Sequence, residues 1–174
     1  MITTNVYQRV FQVKIGESTG TCFTVDIEGK QYIITARHVI DGWNPGTDIQ
    51  IFHEKQWKNI GLSLVGRCEG KIDIAVLSAP IQLSPKLDLP ATAGGIIWGQ
   101  DVYFLGFPYG WYGDIEEMNR HFPMPSSRRQ FSHALSCKMT AYSIFFLTAT
   151  IIQDFLVVLL YSRSRIRMNS KWPP

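Results

Sequence analysis

Apolar and polar residues alternate in short runs along the first hundred positions. Val6-Tyr7-Gln8-Arg9-Val10-Phe11-Gln12-Val13 has roughly period two and strand-forming residue types, which predicts a strand over 6–13. Thr21 to Ile27, then Glu28-Gly29-Lys30, then Gln31 to Thr35 predicts a hairpin with glycine in its turn. Further strands are predicted over 48–53, 60–65, 74–77 and 101–105. No long helical period intervenes. Short strands with regular turn signals predict an all-β fold, a barrel or a sandwich. Pro80, Pro85, Pro90, Gly94, Gly95 and Gly99 mark 81–100 as a linker. It divides a first unit over 1–80 from a second that starts over 101–125.

The pattern then changes. All fourteen glycines lie at or before Gly113, and the last 61 residues have none. An antiparallel barrel needs glycine for tight turns and bulges, so residues 126–174 read as an atypical tail. Ala141 to Tyr161 is a long apolar run broken by Gln153 and Asp154 and followed by Arg163, Arg165 and Arg167. About 20 residues match the thickness of a bilayer. Its strongly apolar residues favour insertion by about 4–7 kcal/mol in sum, and the polar residues, led by Asp154 at about 2.5–3.5 kcal/mol with Gln153 beside it, offset most of that. The balance is near break-even, and the expectation is a poorly soluble tail rather than a membrane anchor. The abrupt switch in composition points to replacement of the C-terminal part, as by a frameshift or altered splice, more than to slow decay.

Composition narrows the function classes. A chain of 174 residues is long enough to bury roughly 70% of its unfolded surface. Apolar residues make up 45% and charged residues 18%, ordinary for a globular protein. The net charge is +3, yet Asp154 is the only acidic residue after Glu117, so the basic excess sits in the tail. A basic tail is not the basic stripe of a nucleic-acid-binding face, and no nucleic-acid partner is expected. Cys22, Cys68 and Cys137 are odd in number and form no CxxC, which argues against a disulfide framework or a zinc knuckle and for small buried hydrophobes. Met1 to Lys14 lacks the apolar core of a signal peptide, so the expected location is cytoplasmic. His121, His133 and Cys137 are ligand types at spacings that fit no common zinc site. There is no glycine-rich phosphate loop, and no metal or other cofactor is expected. Phe107, Tyr109, Trp111 and Tyr112 read as loop packing.

Candidate chemistry centres on two residues. Ile33-Ile34-Thr35-Ala36-Arg37-His38-Val39-Ile40 puts His38 where a buried strand ends, before a short helical turn. A histidine there is held rigidly and can face a cleft. Lys71-Ile72-Asp73-Ile74-Ala75-Val76-Leu77 puts Asp73 at the head of an apolar strand. A half-buried carboxylate there can accept a hydrogen bond from an imidazole, fix its tautomer and stabilise the imidazolium.

In order, Gly20-Thr21-Cys22-Phe23, Thr35-Ala36-Arg37-His38-Val39, Asp73-Ile74-Ala75-Val76-Leu77 and Leu105-Gly106-Phe107-Pro108-Tyr109-Gly110 resemble the trypsin-like serine proteases, above all bacterial-type members similar to the HtrA proteases. The similarity covers about residues 8–113. It implies a double β-barrel with the N-terminal barrel present over 1–80. It also implies that His38 is the general base and Asp73 the group that orients it, with a protein or peptide as substrate.

The chain departs from the family where the nucleophile should be. The family's serine sits in Gly-x-Ser-Gly-Gly, whose glycines let backbone N–H groups point at the developing oxyanion. Here Ser143 and Ser162 stand in that region with no glycine near them. Ser132 and Ser136 also lack such a turn, and Ser126-Ser127 beside Arg128-Arg129 reads as a solvated loop. The second barrel is therefore expected to be incomplete or replaced by the apolar tail. Two functions follow. One is a serine endopeptidase lineage in a truncated or inactive chain whose nucleophile is unknown. The other is a non-catalytic binding or pseudo-protease chain, for which membrane association through 141–161 is the less favoured option.

Overall fold

A computed structural model describes residues 2–44, 46–70, 73–86, 101–114 and 116–131. The tail over 141–161, His133, Cys137 and the serines from Ser132 onward lie outside the described residues, as does most of the 81–100 linker.

Among the described residues nine strands follow one another: β1 Val10–Ile15, β2 Ser18–Ile27, β3 Lys30–Thr35, β4 Ile49–His53, β5 Gln56–Ile60, β6 Ser63–Arg67, β7 Ala75–Ser78, β8 Asp101–Gly106 and β9 Ser126–Phe131. The first seven form one antiparallel sheet in the order β5-β4-β1-β2-β3-β7-β6. β5 and β6 sit at opposite edges of that sheet, yet only Gly61-Leu62 separates them in the chain. Two residues reach roughly 7 Å when extended. The sheet must therefore curl until its edges meet, and a single bent segment belongs to both edges. This corrects the expected unbroken strand over 60–65. Ile60 and Leu62 turn inward on either side of Gly61 and help fill the barrel.

Strand parity explains the core. Phe11, Val13, Ile15, Cys22, Ile33, Ile49, Ile51, Ala75 and Leu77 share one face and pack inside the curl. Val10, Phe23, Ile34 and Ile74 take the opposite face, where Val6, Leu105 and Phe107 cover them. Burying a Leu or Phe side chain favours folding by about 1.5–3 kcal/mol, so β8 and its following residues are bound to the outside of the first sheet. Both faces of β1 are thus covered, which is why its strict alternation is weak in the sequence.

Three expectations change at local level. Thr4–Tyr7 is a single helical turn rather than the start of the first strand, and it buries Val6. Ser126 to Arg129, expected as a solvated loop, belongs to β9, which pairs with β8 from Asp101↔Phe131 to Gly106↔Ser126. The ladder to β8 satisfies a backbone that the polar side chains alone did not mark as a strand. The predicted aromatic loop packing holds for Phe107, which is buried, and for Tyr112, whose ring lies 4.8 Å from that of Phe52. Tyr109 and Trp111 instead face solvent, Tyr109 with a left-handed φ of 54°. β8 and β9 form a two-stranded ribbon, and no second barrel is present among the described residues.

The hairpin β4–β5 meets the segment after β8. Its turn, Glu54-Lys55, has both residues left-handed. Lys55 pairs with Asp114 at 2.6 Å, and the ring of His53 stands edge-on to Phe122 at 4.6 Å.

Candidate active site

β3 ends at Thr35, whose hydroxyl donates to the Thr21 carbonyl at 3.0 Å. The chain then makes a 3-10 turn over Arg37–Ile40. Val39 and Ile40 point into the core and anchor the turn, which leaves His38 on the outside. Gly20 of β2 lies against this turn, in contact with Val39. Asp73 stands before β7, where the Cys68 N–H donates to the Ile74 carbonyl at 2.8 Å and closes the intervening loop. Ile74 and Ala75 are buried and fix the strand that follows.

The two expected residues, 35 positions apart, meet through two contacts. The His38 backbone N–H donates to Asp73 Oδ1 at 2.9 Å, and His38 Nδ1 lies 2.7 Å from Asp73 Oδ2. The second distance is that of a charge-assisted hydrogen bond. The arrangement assigns the proton to Nδ1 and leaves Nε2 as the basic nitrogen. The Asp73 side chain is 20% exposed, whereas that of His38 is 55% exposed. The carboxylate is thus sheltered and the imidazole accessible. Burial pushes the Asp73 carboxyl up, but the side-chain and backbone hydrogen bonds from His38, with the charges of His38 and Arg37, outweigh it and hold the carboxyl below its ordinary value.

Three supporting residues were not singled out as functional from the sequence. Gly20 makes room for the His38 turn. Thr21 Oγ1 accepts the Phe107 N–H at 3.1 Å in a buried position and so ties the first sheet to the segment after β8. Arg37 Nη1 donates to the Cys68 and Gly70 carbonyls. Gly20 and Thr21 lay inside a recognised motif, so a signal was present; nothing in the spacing marked Arg37. Among the described residues no group of three or more His, Cys, Asp or Glu side chains is placed to hold a metal. Cys22 is fully buried, which pushes its thiol well above the ordinary range and makes it a core hydrophobe.

No family model and no curated protein matches this sequence. Solved structures do. The HtrA-type protease AlgW with a tripeptide matches at 20% identity and a TM-score of 0.51, over 74% of this chain and 37% of that one. Weaker likenesses include Deg5, at 22% identity and a TM-score of 0.46 over 73% of this chain and 58% of that one, and Rv3671c from M. tuberculosis H37Rv, at 21% and 0.44 over 72% and 62%. The chain has the β-barrel fold of the trypsin-like serine proteases. Of these neighbours AlgW is an HtrA-type protease, and this chain spans less than two thirds of the length of each of these structures.

Proposed function

We propose that this chain descends from trypsin-like serine endopeptidases and carries their base and orienting carboxylate without a nucleophile of its own. In that role His38 Nε2 accepts the proton of a serine hydroxyl as it attacks a peptide carbonyl. Asp73 holds the imidazole in the required tautomer and stabilises its protonated form. Proteins or peptides are the corresponding substrates. The observation that carries the reading is the paired contact of His38 with Asp73, at 2.9 Å through the backbone and 2.7 Å through the ring.

The 174 residues contain no Gly-x-Ser-Gly-Gly. Loss of the nucleophile from a triad lowers turnover about 10⁶-fold. That absence also favours a second reading, a chain that binds peptides without cleaving them. A fluorophosphonate probe tests the silent state. The expected result is no covalent labelling of the purified chain. Stoichiometric labelling of one serine contradicts it.

A further inference from the structure

Arg37 and His38 are consecutive, and together they grip both limbs of one loop. Arg37 Nη1 donates to the Cys68 carbonyl at 3.1 Å and to the Gly70 carbonyl at 3.4 Å. His38 takes the opposite limb through its two contacts with Asp73. The limbs are tied to each other by the Cys68 N–H to Ile74 carbonyl bond. We propose that Arg37 is a positioning residue for the His38–Asp73 pair, its guanidinium fixing the 68–70 limb so that Asp73 Oδ2 meets His38 Nδ1. The proposal rests on the functional reading of that pair given above.

Two physical contributions are separable. The first is geometric. A guanidinium is a planar, permanently charged donor, and here one nitrogen serves two carbonyls of the same limb. Both bonds join residues more than thirty positions apart, so they constrain the loop that delivers Asp73 rather than a local turn. The second is electrostatic. A fixed positive charge beside the loop favours the ionised carboxylate, in the same direction as the hydrogen bonds from His38. Arg37 is half-buried on a turn anchored by Val39 and Ile40, so its origin is as rigid as that of His38. A lysine retains the charge but not the planar donor geometry, which lets the two contributions be told apart.

The experiment compares the full chain with Arg37→Met and Arg37→Lys by NMR. It follows the ionisation of the Asp73 carboxyl and the exchange of the His38 Nδ1 proton, with thermal melting as a check on the fold. In Arg37→Met the Asp73 carboxyl should titrate at higher pH, and the Nδ1 proton should exchange faster or vanish. Arg37→Lys should keep most of the effect on Asp73 while losing protection of the Nδ1 proton. A Met variant that melts like the wild type and leaves both signals unchanged overturns the proposal. If the Met variant does not fold, an unchanged Nδ1 proton in Arg37→Lys overturns it. An Asp73→Asn variant with Arg37 intact separates the two levels. If its His38 signals match the wild type, the underlying reading of the pair fails, whatever Arg37 does.

Discussion

Gly20 and Val39 approach so closely that a Cβ on Gly20 would stand 2.6 Å from Val39 Cγ2. Val39 immediately follows His38, so β2 sets how deeply the histidine turn can sink. The backbone of Gly20 is not in the left-handed region, and the glycine is required for space alone. Gly20→Ala should therefore cost about 1–3 kcal/mol by overpacking and should displace His38. Urea titration measures the first effect and the His38 NMR shifts the second. An alanine variant with wild-type stability and unchanged His38 shifts contradicts this role.

Thr21→Val removes the acceptor of the Phe107 N–H while keeping the shape of the side chain. A buried donor left unpaired costs about 1–3 kcal/mol. The variant should lose stability by that amount, and hydrogen exchange at Phe107 should accelerate more than at β2 or β3. Equal acceleration throughout would mean that Thr21 supports the whole sheet rather than the junction.

Asp73 predicts an acid-sensitive component of stability. Its carboxyl is held below the ordinary value of 3.8 in the folded chain. The unfolded chain therefore takes up the proton first as pH falls, and the contribution of the pair is present above 3.8 and lost through the lower folded value. Asp73→Asn should flatten this part of the profile. Denaturation midpoints between about pH 2 and 5 check it.

His53 predicts a second window at higher pH. Burial, then the charge of Lys58, lowers its pKa from 6.5; Glu54 opposes this and His121 adds to it. The folded state resists protonation, so stability should fall as pH drops below 6.5 toward the lower folded value. His53 Nε2 is buried with no hydrogen-bond partner among the described residues, so a proton placed there gains no acceptor. His53→Phe should keep the packing on Phe122 and remove this dependence. Parallel urea titrations of the two proteins near pH 7 and pH 5 decide it.

What the sequence revealed and what it concealed follow from how local each signal is. The hairpin from β2 to β3 was legible because its turn, Glu28-Gly29, carries consecutive positive φ angles that favour glycine at the second place. His38 and Asp73 were legible because each stands where an apolar run meets a polar residue, and because their motifs occur in order. The bend at Gly61-Leu62 was not, since one bent segment and one straight strand give the same alternation until the neighbours on each side are known. β9 was hidden because Ser126-Ser127-Arg128-Arg129 has little strand propensity, and its pairing depends on a partner strand 20 to 30 residues back, from Gly106↔Ser126 to Asp101↔Phe131. The grip of Arg37 involves backbone carbonyls, which any residue supplies, so no sequence pattern announces it.

The central claim is that Asp73 holds the ring of His38 with its proton on Nδ1, leaving Nε2 as the base. The ¹⁵N chemical shifts of the His38 imidazole, recorded for the neutral ring in the wild type and in Asp73→Asn, test it most directly. The account predicts the Nδ1–H tautomer in the wild type, with a low-field Nδ1 proton that the Asn variant loses. An Nε2–H tautomer in the wild type, or identical spectra from the two proteins, would contradict it.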